Sequence, residues 1–133
     1  MNYKDELNKL LNNSYSPYSN YKVAAIVVMK DGKWFNGVNV ENAAYGNAIC
    51  AERNAIHTAI TNGYKPGDFK EMYLMAKVLG YSCGACRQTM QEFFDADTKI
   101  ISMSSTGETK ELLFKDLLPY PFGPEDLKWG LVM

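Results

Sequence analysis

Histidine is nearly missing from these 133 residues and cysteine is sparse, with one of the first and three of the second. An odd number of thiols in a short chain makes a poor disulfide framework, so reduced thiols kept for metal binding or chemistry are the simpler reading. Long apolar runs are missing too. The longest, Val23 to Met29, falls far short of the ~20 residues that cross a bilayer, which excludes a membrane span of that kind. Net charge is almost absent, at −1, and Lys and Arg are scattered rather than gathered into a stripe, which argues against a nucleic-acid partner. Met1 to Leu11 sets Lys4, Asp5, Glu6 and Lys9 among leucines and lacks the apolar stretch of a secretory signal, so a cytoplasmic location is expected. Internal repeats, low-complexity stretches and linkers are not found, and a composition 47% hydrophobic and 22% charged suits one globular unit.

What is present is concentrated in two short words, Cys50-Ala51-Glu52 and Cys83-Gly84-Ala85-Cys86, which hold every cysteine of the chain. A C-x2-C pair with a third thiolate upstream supplies three soft ligands, which suits a tetrahedral zinc whose fourth position stays open. Glu52 is then the best candidate for moving protons beside that position, and metal-assisted hydrolysis is the leading reaction class. The bland competitor is a structural zinc closed by a fourth ligand. His57 is the obvious one, but it lies seven residues after Cys50, about two turns down a helix, and reads as a surface or packing residue.

Periodicity places both words. Leu7, Leu10 and Leu11 mark a first helix that ends near Asn12-Asn13. Val23 to Met29, turning at Asp31-Gly32 into Trp34 to Val40, reads as a hairpin. Ala51, Ala55, Ala59 and Ile60, stopped by Asn62-Gly63, predict a helix that the first word opens. Met72 to Leu79 is the next strand, Arg87 to Phe94 the next helix, and Ile100 to Met103 a further strand, while Lys110 to Leu118 fits strand or helix equally. Such alternation predicts an α/β layered domain.

Residues i and i+2 do not face each other along a helix, so Cys50 and Glu52 can converge only on a metal lying off the helix N-terminus. Cys83 and Cys86, three apart, can clamp the same ion from the opening turn of the second helix. Two helix starts would then meet at one metal, and their dipoles favour thiolates. Three thiolates on a divalent ion leave a net charge of about −1, which weakens it as a Lewis acid. A guanidinium donating to the sulfurs withdraws charge; Arg53 is assigned this task, with Arg87 as the alternative.

Four words now carry a resemblance that spans nearly the whole chain: Val38-Asn39-Val40-Glu41-Asn42-Ala43-Ala44-Tyr45, Ile49-Cys50-Ala51-Glu52-Arg53, Cys83-Gly84-Ala85-Cys86-Arg87-Gln88 and Leu117-Leu118-Pro119-Tyr120-Pro121-Phe122-Gly123-Pro124. In order and spacing they resemble the motifs of the small, three-cysteine cytidine deaminases. The resemblance implies a three-layer α/β/α sandwich with a mixed sheet of about five strands, one catalytic domain over residues 1–133. It implies hydrolysis of cytidine and deoxycytidine to uridine and deoxyuridine plus ammonia, in pyrimidine salvage. Cys50, Cys83 and Cys86 would hold one zinc per subunit, and Glu52 would protonate the ring nitrogen, deprotonate the attacking water and pass a proton to ammonia. Asn39 and Glu41 would hold the ribose, Ala51, Tyr21, Tyr45 and Phe122 would contact substrate, and Phe122, Ala43 and Tyr45 would meet a neighbouring subunit in a homotetramer with shared active sites.

Two departures stand out. The segment Tyr18-Ser19-Asn20-Tyr21-Lys22-Val23-Ala24 ends in Tyr-Lys-Val-Ala where the pattern has Phe-Pro-Val-Gly, which makes Tyr21 the base-stacking aromatic with a hydroxyl to satisfy. Ser82 stands where a proline usually precedes the second metal word. Tyr21, Phe122 and Trp129 also read as core or interface aromatics, and Asn39 and Glu41 as the solvated face of a strand. Two rival functions follow: a deaminase of another aminopyrimidine, which needs no ribose pair, and a zinc-stabilised binding module.

Overall fold

Val23–Met29, β1, is apolar along its whole length and buried on both faces, which is the pattern of a strand with neighbours on each side rather than at an edge. It pairs antiparallel with β2, Trp34–Val38, and with β3, Phe69–Ala76; β3 pairs parallel with β4, Lys99–Ser104, and β4 antiparallel with β5, Thr109–Leu113. The order β2-β1-β3-β4-β5 makes a mixed five-stranded sheet. The parallel step requires a crossover, and helix Gly84–Phe93 supplies it. The structure is a computed structural model that describes residues 2–127, so Trp129 lies outside the described residues.

Helix α1, Tyr3–Leu11, starts on Asn2, whose side chain accepts the Asp5 N–H at 3.2 Å, and buries Leu7 and Leu10 against Ala24, Ile26, Val28 and Met75 on one sheet face. The opposite face is covered by α2, Ala51–Thr61, and α3, Gly84–Phe93. There Ala51, Ala55, Ile56 and Met90 pack on Ala25, Val27, Met72 and Ile100. The result is the three-layer α/β/α sandwich that the resemblance implies. Among the described residues no helix is long and apolar enough to cross a membrane.

Close packing of α2 on β2 depends on Gly37. A Cβ there would stand 2.5 Å from the Ala55 nitrogen and 2.6 Å from the Ala51 carbonyl oxygen, so only glycine lets the strand and the helix backbone approach this closely. The Asn54 amide adds a bond to the Val38 carbonyl at 2.8 Å. Helix α2 stops at Asn62 and Gly63, where φ is +98°, the left-handed turn that the Asn-Gly pair predicts.

Several boundaries differ from the sequence reading. β2 stops at Val38 rather than Val40, because Val40 exchanges both backbone hydrogen bonds with Ile49 at 3.0 Å and bridges to Tyr15 instead. Asn39 and Glu41 therefore sit in irregular chain beyond the strand. β3 runs from Phe69 to Ala76, so Val78 and Leu79 leave the sheet. α3 begins at Gly84, not Arg87, because Cys83 takes the cap position with φ −69° and ψ 171°. The undecided segment divides into strand β5 and a short helix α4, Phe114–Leu117.

Candidate active site

Both helices that reach the site start on a cysteine. Cys50 is the N-cap of α2 and Cys83 the N-cap of α3, each extended, and no side chain caps either helix. Their first-turn N–H groups are therefore left facing the site, with the positive ends of both dipoles. Cys86 follows in the first turn of α3. The three Sγ atoms lie within 4.8 Å of one another, and Cys50 and Cys83 are 3.8 Å apart. A tetrahedral zinc with Zn–S bonds of ~2.3 Å spaces its sulfurs ~3.8 Å apart, so the cluster fits that ion with little movement. Cys86 is buried, Cys50 half-buried and Cys83 exposed, which leaves the cluster open on one side.

Electrostatics point the same way. The Cys50 thiol is pulled down to about 5, first by a hydrogen bond with the Cys86 thiol, with Arg53 and Cys83 adding to it. Cys86 is pushed up, first by the same Cys50 and then by burial. Sulfurs this close cannot all ionise unaided, and a divalent cation among them removes the conflict. Arg53 donates from Nη2 to the Cys50 sulfur at 3.7 Å. Arg87 does not reach the cluster: it donates from Nε to the Ser82 carbonyl at 2.7 Å and from Nη1 to the Leu117 carbonyl at 2.9 Å. Arg53 therefore fits the charge-withdrawing task and Arg87 is a backbone clamp. His57 is exposed and outside the cluster, as its spacing predicts.

Glu52, in the first turn of α2, is only 5% exposed, and its carboxyl is pushed up by burial against an opposing pull from the Ser82 hydroxyl. It lines a cleft of about 310 Å³ together with Cys50, Ala51, Cys83, Asn39, Glu41 and Tyr21. That volume suits a small organic ligand. Leu74, Ala76, Gly80 and Ser102 also line the cleft, and none of them was singled out from the sequence. Ser102 had a legible signal, a hydroxyl inside the buried strand β4; it donates to the Gly80 carbonyl at 2.6 Å and so pins the loop after β3. The Tyr21 hydroxyl reaches across the cleft to that loop, 3.7 Å from where a Cβ on Gly80 would stand.

Asn39 and Glu41 spend most of their hydrogen-bonding capacity on the protein. The Asn39 carbonyl oxygen accepts from the Ser14 hydroxyl and from the Val23 N–H at 2.9 Å, and its amide donates to the Tyr21 carbonyl at 2.7 Å. Glu41 accepts the Tyr18 and Ser19 N–H groups at 2.9 and 3.1 Å on one oxygen and the Ser19 hydroxyl on the other. These donors, the Ser19 hydroxyl first, hold the Glu41 carboxyl below its ordinary range. An amide has two N–H groups and a carboxylate about four lone-pair sites, so one donor on Asn39 and one acceptor on the second Glu41 oxygen remain for a ligand. Tyr45 and Phe122 are 77% and 59% exposed and do not line this cleft. Tyr45 stacks edge-on with Tyr18, and the Phe122 carbonyl accepts from Gln88.

Three cysteine sulfurs at two helix starts, with one side open and a buried carboxyl beside them, define a metal-dependent hydrolase. Known proteins are similar in sequence and in fold. The sequence pattern of the cytidine and deoxycytidylate deaminase zinc-binding region matches residues 2–103. A cytidine deaminase of Halalkalibacterium halodurans is 40% identical over 114 residues, 86% of each chain, and one of Sporosarcina psychrophila is 35% identical over 127 residues, 94% of this chain and 92% of that protein. The crystal structure of cytidine deaminase from Burkholderia pseudomallei superposes with a TM-score of 0.85 at 38% identity, over 89% of this chain and 94% of that one. The chain belongs to the cytidine and deoxycytidylate deaminase family.

Proposed function

We propose that this chain hydrolyses the exocyclic amine of cytidine and deoxycytidine, giving uridine or deoxyuridine and ammonia. The observation that carries this reading is the meeting of three sulfurs with a buried, proton-accepting carboxyl at one cleft, whose wall includes Cys50, Cys83 and Glu52. Cys50, Cys83 and Cys86 hold zinc, which when bound supplies a water made acidic enough to attack near neutral pH. Glu52 takes the proton of the attacking water on a carboxylate oxygen and delivers it to the ring nitrogen, then takes the proton of the hydroxyl now on the ring carbon and passes it to the departing amine as the carbonyl forms. Arg53 draws charge from the sulfurs. Ala51 supports the base at the start of α2, and Tyr21 stacks on it from the cleft mouth. Asn39 and Glu41 offer their remaining donor and acceptor to the ribose hydroxyls.

The exposure of Tyr45 and Phe122 outside their own cleft supports a homotetramer in which they approach a neighbour's site. Reduced thiols suit the cytoplasm, and the reaction suits recovery of pyrimidine nucleosides.

Chelation tests the reading. Cytidine turnover, followed by its ultraviolet absorbance, disappears when zinc is removed and returns when zinc is restored, and Tm falls in the metal-free protein because the ligands tie two helices together. A zinc-replete protein that unfolds on chelation but never turns over cytidine would instead be a binding module. A second test addresses the ribose. Glu41→Gln is expected to raise KM for cytidine about 10- to 100-fold, the worth of a hydrogen bond to a charged group, and to leave KM for 2′,3′-dideoxycytidine unchanged. Equal increases on both substrates would reduce Glu41 to an anchor for the Tyr18–Ser19 loop.

A further inference from the structure

Two buried side-chain polar atoms lack a hydrogen-bond partner among the described residues, Arg53 Nε and Ser82 Oγ, and both flank the sulfur cluster. Ser82 is 4% exposed, so its hydroxyl cannot turn to bulk water. An orphan of this kind is costly, and it is kept where a partner engages it in the working state. We propose that the Ser82 hydroxyl is a positioning residue that donates to one oxygen of Glu52 and leaves the other oxygen to face the substrate. This rests on Glu52 as the proton carrier of the deamination read above.

The surroundings restrict what the hydroxyl can do. Ser82 cannot drift, because Arg87 holds its carbonyl at 2.7 Å and is itself tied to the Leu117 carbonyl. The next residue, Cys83, caps α3 and belongs to the sulfur cluster, so the main chain is fixed on both sides and only the side-chain rotation is free. Across the cluster stands the first turn of α2, whose buried Glu52 carboxyl is close enough for the Ser82 hydroxyl to lower its proton affinity, although the two do not meet hydrogen-bond geometry in this structure. The other hydrogen-bonding neighbours of the Glu52 carboxyl are its own backbone N–H and the Cys86 thiol, and a thiol that gives up its proton to bind a metal no longer donates. A carboxyl that moves protons between different substrate atoms needs one oxygen held and one presented. The proline expected at this position has no hydroxyl, so serine adds this hold in this chain.

The test compares wild type with Ser82→Ala, Ser82→Thr and Ser82→Pro, each at measured zinc content, on cytidine. Loss of the hydroxyl in Ser82→Ala and Ser82→Pro is expected to lower kcat about tenfold with KM within about twofold and zinc unchanged, while Ser82→Thr, which keeps the hydroxyl, retains most of kcat. Wild-type kcat in Ser82→Ala, an equal fall in Ser82→Thr, or a fall that tracks zinc loss overturns the proposal. A crystal structure of the zinc-loaded protein gives a readout independent of turnover: Ser82 Oγ is expected about 2.5–3.0 Å from a Glu52 oxygen, and a hydroxyl bonded elsewhere overturns it. Wild-type protein inactive on cytidine is failure of the deamination reading, and the same crystal structure still decides the Ser82 contact.

Discussion

Glu52→Gln should lower kcat for cytidine by about 10²–10⁴-fold while zinc content and Tm stay close to wild type. The amide has nearly the shape of the carboxyl but cannot accept and return a proton, and Cys50, Cys83 and Cys86 still supply all three sulfurs. Placement at the start of α2 is what makes the residue suitable. It is buried beside the open face of the cluster, and burial raises its affinity for a proton above that of an exposed carboxyl, which suits a group that must take up a proton and return it. The measurement is steady-state turnover beside metal analysis and thermal unfolding of the same preparation. A variant that keeps more than a tenth of wild-type kcat with full zinc would remove Glu52 from the proton path and move the search to other donors lining the cleft.

The second large effect is structural and begins at Gly37. Gly37→Ala puts a methyl group 2.5 Å from the Ala55 nitrogen and 2.6 Å from the Ala51 carbonyl oxygen, and neither contact is the yielding end of a side chain. The helix backbone must move off β2. Overpacking of this sort costs roughly 3 kcal/mol or more, which for a domain of this size lowers Tm by about 10 °C. Ala51 lies between Cys50 and Glu52, so the displacement reaches the site, and turnover of the folded fraction should fall as well. Thermal unfolding with turnover per zinc-loaded molecule checks both parts. An unchanged Tm would show that α2 does not depend on this approach.

The fold was legible where one signal sufficed. The unbroken apolar run of β1, the Asp-Gly turn, and the Asn62-Gly63 stop each follow from local chemistry and appear where they were expected. Boundaries were less legible where tertiary contacts competed. The pattern after Trp34 continues through Val40, yet Val40 pairs with Ile49, and nothing in residues 34–40 announces that partner. The start of α3 was set three residues late, because a cysteine is a weak cap by its own propensity and takes the position here with the cluster beside it.

At the site, cysteine count and spacing by themselves determined the donor set and the candidacy of Glu52 and favoured an open fourth position, because thiolates bind soft metals and spacing limits which can share one ion. Only the tertiary structure decided how the other polar groups are used. Arg53 and Arg87 have the same charge and each neighbours a metal word, but Arg53 reaches a sulfur while Arg87 clamps two carbonyls. Asn39 and Glu41 are the pair to which the resemblance gives the ribose, yet most of their capacity holds the loop from Ser14 to Val23. Ser82 is a one-residue departure in the sequence and a buried, unpartnered hydroxyl in the fold. Ligand type is a property of the residue and is read directly. The direction of a side chain is set by backbone that distant segments hold in place, and that was decided only when β2, α2 and the loop before α3 came together.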